Sequence, residues 1–342
     1  MQTIDILNCE RMGLSLLDSD IKNYSLFHGK AGNTILLYLL FQNSGNKSYE
    51  EKALKNLDKI GENIASIESL TFENGLAGIG WVVEWLAQNE YLKMNTNEVL
   101  EDIDDTLYKS VVYASDKNIS LAEGTLGKFL FFWNRYCNKN PDTHRLKSIF
   151  HEECLVLLTD DLNDKIVGEK GIIHNSNLTP SDIVNLGHAV YFLSRFLWMK
   201  LNEPTVENTL YHTMNFADTL LCEKMNEDAI NVLSIAEIDS LLFLSCCFYL
   251  TGVNHQLDIW QKKGKEYILY LRDITLPESQ PHSQSYILVD VILGECDSSI
   301  PLSSNSDNST TLINWEGKLL LESILLGRKI NIDIIIPLIL MR

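Results

Sequence analysis

The chain has 342 residues, enough for one large domain or two ordinary ones, and its 45% hydrophobic content is that of a globular protein with a sizeable core. Its 28 Lys and Arg face 46 Asp and Glu, and the resulting net charge of −18 speaks against nucleic acid and anionic membranes as direct partners, because both call for basic surfaces. Seven cysteines without CxxC or zinc-finger spacing, and a start, MQTIDILNCE, with neither a basic nor an apolar leader region, point to a reducing cytoplasm.

The first predicted element is the apolar helix of FHGKAGNTILLYLL (27–40), which opens on Gly29 and Gly32. An amphipathic helix follows over 48–67, with Leu54, Leu57, Ile60 and Ile64 recurring every three or four positions. The pattern then returns. FENGLAGIGWVVEWLAQ (72–88) carries Gly75 and Gly78 before an apolar helix, and 96–114 is amphipathic through Val99, Ile103, Leu107 and Val111. LAEGTLGKFLFFW (121–133) supplies a third pair, Gly124 and Gly127. The first glycines lie 46 and 49 residues apart (75−29 and 124−75), a spacing that suits a two-helix repeat. Each glycine costs a helix about 1 kcal/mol against alanine, so the pairs need a reason. Two are at hand: a tight turn with positive φ at the helix start, and a close approach of a neighbouring backbone one turn on.

The second half keeps the rhythm with fewer glycines. In 179–198 Gly187 matches the second glycine of a pair and Val184 takes the place of the first; 233–250 and 281–294 have neither, and 314–327 has only Gly317. Seven inner-helix starts result, near 29, 75, 124, 184, 235, 283 and 317. The polar run 296–311 reads as a loop, and IIIPLIL (334–340) is far short of the ~20 residues of a spanning helix. Strand-like alternation is scarce and no linker divides the chain. The fold class is therefore all-α, as a single domain over 1–342.

At FHGKAG, NGLAGIGW and EGTLG the sequence resembles the lanthionine synthetase C-like family. The resemblance implies an α/α toroid of about seven helical hairpins, and an enzyme activity that adds a cysteine thiol to a dehydroamino acid to close a thioether ring. That chemistry takes zinc, held by two cysteines and a histidine, and an acid. On the matching positions the sixth repeat reads Pro281-His282-Ser283, so the histidine stays and its cysteine does not. The fifth repeat offers Ser234 to Asp239, with Cys246 and Cys247 some two turns too deep. The fourth-repeat His-Gly falls at Ile183-Val184, and the acid falls near Ser120. No metal and no cofactor are expected, and the catalytic residues are unassigned.

The candidate ligand-binding residues are His28, Glu73, Glu123 and His282, expected to line one cavity at the toroid mouth and to favour a cationic or hydroxyl-rich ligand. Glu316, Asp182, Glu237 and Asp239 extend that acidic rim. The plainer reading makes the acids helix-end charges worth roughly 0.3–1 kcal/mol each, and His28 a helix-start side chain. Gly29, Gly32, Gly75, Gly78, Gly124 and Gly127 are structural, and Trp81, Trp85 and Trp133 are assigned to the core. Three functions stay open. The first is a zinc-less binding or scaffold subunit in the maturation of a ribosomally made peptide, with a precursor peptide or a modifying enzyme as partner. The others are a carbohydrate-active toroid with a carboxylate pair ~5–9.5 Å apart, and a peptide cyclase without thiolate-bound zinc.

Overall fold

The computed structural model describes residues 13–140, 145–226, 233–275, 284–294, 321 and 332–341, and no strand occurs among them. Three hairpins built on the glycine motifs come first. They pair α1 (Lys30–Ser44) with α2 (Lys47–Asn63), α3 (Leu76–Gln88) with α4 (Glu101–Tyr113), and α5 (Thr125–Tyr136) with α6 (Arg145–Ile166). Then come α7 (Pro180–Phe196) with α8 (Glu203–Lys224), and α9 (Ile235–Asn254) with α10 (Asp258–Thr275), followed by α11 (Gln284–Leu293) and α12 (Ile332–Leu340). The odd-numbered helices from α1 to α11 form the inner layer. Along it α1 packs on α3, α3 on α5, α7 on α9 and α9 on α11. The α5–α7 step is made by Phe196 against Phe129 and Trp133. In the outer layer α4 packs on α6 and α6 on α8. This is the all-α toroid the repeats call for. The expected start near residue 317 lies outside the described residues.

The inner helices are apolar on nearly all sides because they are covered on nearly all sides. In α1 every residue from Lys30 to Leu40 is buried, whereas α2 buries only Tyr49, Ala53, Asn56 and Ile60 along one face. Helix α9 is long and apolar enough to cross a membrane by length and composition, and most of it is buried in the domain against α7 and α10.

One charged cluster is sealed between the layers. Arg135 of α5, fully buried, donates from Nε and Nη2 to the two carboxylate oxygens of Asp104 at 2.9 and 2.7 Å, and from Nη1 to Glu84 at 2.5 Å. It therefore joins α3, α4 and α5, and the fork geometry of a guanidinium suits the task. The predicted 96–114 helix breaks at Leu100 into a single turn, Thr96–Val99, and α4 from Glu101, and that first turn serves the cluster too: Thr96 and Asn97 accept from Arg135 at 3.1 and 3.2 Å.

The C-terminal apolar segment forms α12. Its Leu338, Leu340 and Met341 are fully buried, and the Leu340 carbonyl lies 2.7 Å from Nε2 of His188, a buried residue of α7.

Candidate functional site

The toroid mouth is built three times over from one short loop. Asn23, Ser69 and Asn118 each stand six residues before a first glycine, and Ser25, Thr71 and Ser120 stand four before. The first side chain accepts the backbone N–H of the second residue at 3.0, 3.4 and 2.9 Å. The second residue's hydroxyl accepts the N–H just before the glycine, from His28, Asn74 and Glu123, at 3.3, 3.3 and 3.1 Å. The carbonyls of Asn23, Ser69 and Asn118 then take the first helical N–H, from Lys30, Leu76 and Thr125, at 2.9, 2.9 and 3.1 Å. The orphan donors of a helix start are thus met by the loop itself. Neighbouring loops are also stitched together: Phe27 donates to the Glu73 carbonyl at 3.3 Å, and Glu73 donates to the Ala122 carbonyl at 2.9 Å.

This geometry corrects the expected role of the first glycines. Gly29, Gly75 and Gly124 have φ of −127°, −129° and −110°, so no positive φ is involved. The reason for glycine is space, because a Cβ there would run into the backbone of Ser25, Thr71 or Ser120. The second glycines do serve close approach. A Cβ on Gly78 would meet Leu26, and one on Gly127 would meet Phe72, each from the preceding repeat.

The fourth and fifth inner helices start differently. Thr179 and Asp182 form a reciprocal capping box, and so do Ser234 and Glu237. Helix α7 thereby begins at Pro180, which puts Val184 inside the helix rather than at a cap, a correction to the glycine-based register. Gly187 faces Phe243 and Cys247 of α9 instead of a preceding repeat. Two of the rim acids, Asp182 and Glu237, are accounted for as helix caps. Hydrogen bonds from the Ser234 side chain and backbone hold the Glu237 carboxyl below its usual range.

Of the four candidate ligand residues, His28 and Glu73 come together, with Nε2 to Oε1 at 3.8 Å and half of the His28 side chain exposed. Glu123 is exposed and tied through its backbone to Ser120. His282 lies outside the described residues. The mouth holds a cavity of about 340 Å³ between the third loop and the first turns of α7 and α9. Its wall includes Ser120, Val184, Asn185, Asp239 and Ser240, and neither His28, Glu73 nor Glu123 belongs to it. Of the positions that the family resemblance singles out, Ser120 (the acid), Val184 (the glycine of the fourth-repeat His-Gly) and Asp239 (the end of the fifth-repeat stretch) reach this cavity, whereas Ile183, at the fourth-repeat histidine position, is not in its wall.

Zinc does not fit this donor set. Among the described residues the wall offers one carboxylate, Asp239, with hydroxyl and carboxamide groups but no thiol or imidazole. No group of three or more His, Cys, Asp or Glu among the described residues could hold a metal ion. Cys246 is fully buried, and burial followed by the charge of Asp239 pushes its thiol far up, the reverse of a metal-bound thiolate. A single carboxylate can orient or accept a proton from one polar group. It cannot supply the acid and base of glycosidic chemistry.

At the opposite end of the inner helices a second cavity of about 280 Å³ is lined by Trp81, Trp85, Trp133 and Phe192, with Pro337 and Met341 of the C-terminal segment beside them. The three tryptophans, read from sequence as core, line this pocket while remaining largely covered. The signal missed was IIIPLIL, whose apolarity answers to a seat inside the toroid.

Residues 20–110, which cover the first two repeats, match the model of the family described as lanthionine synthetase C-like protein. No curated protein matches the chain.

Proposed function

From the membership of this chain in the lanthionine synthetase C-like family, carried by residues 20–110, we propose that it acts in the maturation of a ribosomally made, lanthipeptide-type precursor as a zinc-less binding or scaffold subunit. A lanthipeptide-related role follows from the family in general terms. The finer reading rests on the mouth cavity, where Ser120 stands at the position of the acid and the cysteine-free stretch from Ser234 to Asp239, matched to the fifth-repeat ligand motif, contributes Asp239. A pocket with one carboxylate amid hydroxyl and carboxamide groups holds a polar or cationic side chain of an extended peptide better than it activates a thiol. His28, Glu73 and Glu123 lie on the same end of the toroid and would extend the acidic surface the peptide crosses. The partners are then the precursor peptide and the enzyme that modifies it, all in the cytoplasm.

The test uses the full chain and a lanthipeptide-type precursor peptide, chosen from the short reading frames of its gene neighbourhood, before and after dehydration. Binding by calorimetry is expected, weakened about tenfold by Asp239→Asn, the scale of one charge-assisted hydrogen bond. Thiol loss from the dehydrated peptide is expected to stay at the uncatalysed rate with added zinc. Zinc-dependent ring closure, or no binding of the peptide in either form, overturns the proposal. The carbohydrate-active reading loses ground because the cavity wall has one described carboxylate where that chemistry needs two.

A further inference from the structure

On the outside of the first hairpin, beside the start of α1, a partly open cavity of about 210 Å³ lies between residues 18–21, the first turn of α1 and the face of α2. Four lysines line it, with the Lys30 ammonium also 5.5 Å from the centre of the Tyr24 ring. Lys52, Lys55 and Lys59 recur on one face of α2 at the three- and four-residue spacing of neighbours on a helix. Lys30 comes from the start of α1 and is 6% exposed. Asp18 and Asp20 are in the same wall, so the balance is +2 (4−2) in a chain of net charge −18. None of the four ammonium groups has a carboxylate partner among the described residues. Lys52 spends two hydrogens on the carbonyls of Leu17 and Ser19, both at 2.9 Å, which fixes the loop that closes the cavity.

Two further features call for a ligand. Asn33, one turn beyond Lys30, is 2% exposed, and its Oδ1 has no hydrogen-bond partner. A buried carboxamide left unpaired costs about 1–3 kcal/mol. Burial first, then the charge of Lys59, hold the Lys30 ammonium below the usual lysine range, with Asp20 offsetting part of the effect. A bound anion with a hydroxyl would relieve both. Its negative oxygens would pair Lys30 and Lys59, and its hydroxyl would donate to Asn33.

We propose that this cavity, walled by Lys30, Asn33, Lys52, Lys55 and Lys59, is a binding site for a phosphate group, either inorganic phosphate or a small phosphate monoester. A monohydrogen phosphate carries both the double charge and the single donor that the wall calls for; in a monoester dianion the donor comes from a hydroxyl of the substituent, as in glycerol phosphate. The site is independent of the mouth cavity and of any peptide bound there.

The experiment is calorimetric titration of the full chain, in chloride buffer, with inorganic phosphate and separately with glycerol phosphate. One saturable site per chain is expected. Lys59→Gln, a half-buried position that folding tolerates, should weaken it at least about tenfold, the loss of one charge-assisted contact. Asn33→Asp should abolish it by setting a carboxylate in the wall. Lys109→Gln, which removes an exposed lysine of α4, should leave it unchanged. Tighter binding of glycerol phosphate assigns the site to monoesters, and equal or weaker binding assigns it to phosphate itself. No saturable binding of either probe to the folded chain overturns the proposal, as does affinity unchanged in a folded Lys59→Gln variant.

Discussion

Phe72 closes over Gly127 so tightly that a Cβ on the glycine would lie 2.5 Å from the Phe72 Cβ and 2.5 Å from the Leu121 carbonyl oxygen. Neither neighbour is the free end of a flexible chain. Gly127→Ala should therefore cost about 2–3 kcal/mol, as overpacking of a rigid contact does. Gly61 offers the control, because it lies within α2 with nothing near its missing Cβ. Gly61→Ala should stabilise by about 0.5–1 kcal/mol through propensity and unfolded-state entropy. Urea denaturation of both variants checks the pair, and equal effects would remove the close-packing account of the second glycines.

Arg135 pairs with both Glu84 and Asp104 in a place where neither can turn to solvent. Arg135→Met should destabilise by about 3–5 kcal/mol, the cost of stranding buried charge. Replacing all three by apolar residues of similar volume should recover most of that loss, since the pairing itself contributes little net stability. Chemical denaturation of the single and triple variants distinguishes the two outcomes.

The same cluster sets an acid limit. Burial pushes the Asp104 carboxyl up, but the hydrogen bonds and charge of Arg135, helped by His151 with Nε2 at 3.4 Å, outweigh it and leave the group below the usual aspartate range. A carboxyl depressed on folding contributes stability that is complete above its unfolded pKa of about 3.9 and is lost as pH falls through the lower folded value. Stability should thus fall in the acid range below about pH 4. Asp104→Asn should flatten that part of the profile, measured by thermal unfolding from neutral to strongly acid buffer.

Ser234→Ala removes the hydroxyl that accepts the Glu237 N–H at 3.3 Å and donates to its carboxylate at 2.7 Å. The loss should be about 1 kcal/mol, and Thr179→Ala should cost a similar amount for the same reason. In Ser234→Ala the Glu237 carboxyl should titrate higher, toward the ordinary glutamate range, as read by NMR.

The cysteines should divide by environment. Cys222 is exposed, whereas Cys246 and Cys247 have no exposure and burial pushes the Cys246 thiol far up. A thiol reagent should modify Cys222 rapidly in the native chain and reach Cys246 only on unfolding. Rapid native labelling of Cys246 would show that α9 opens, and would reopen the question of a thiolate near the mouth.

Helix identity and repeat rhythm were legible in the sequence because they are local. The glycine pairs, the apolar inner runs and the one-sided stripes of 48–67 and 96–114 each declare themselves within twenty residues, and α1, α3 and α5 start at the glycine signals. The recurring Asn or Ser and Ser or Thr ahead of each first glycine were equally present, and they explain the helix starts better than any φ. What needed the tertiary structure was everything set by residues distant in sequence. The loss of a Cβ at Gly127 is required by Phe72, 55 positions earlier (127−72). The early start of α7 comes from a capping box that replaces the glycine turn. IIIPLIL finds its seat through His188, and Arg135 finds Glu84 and Asp104 across two helices. The lysine cavity is hidden by the overall charge, since a sum over 342 residues carries no record of where four cations meet. Local propensity acts through the backbone of a few neighbours, while packing and electrostatics act through space, and only the closed fold fixes which residues share it.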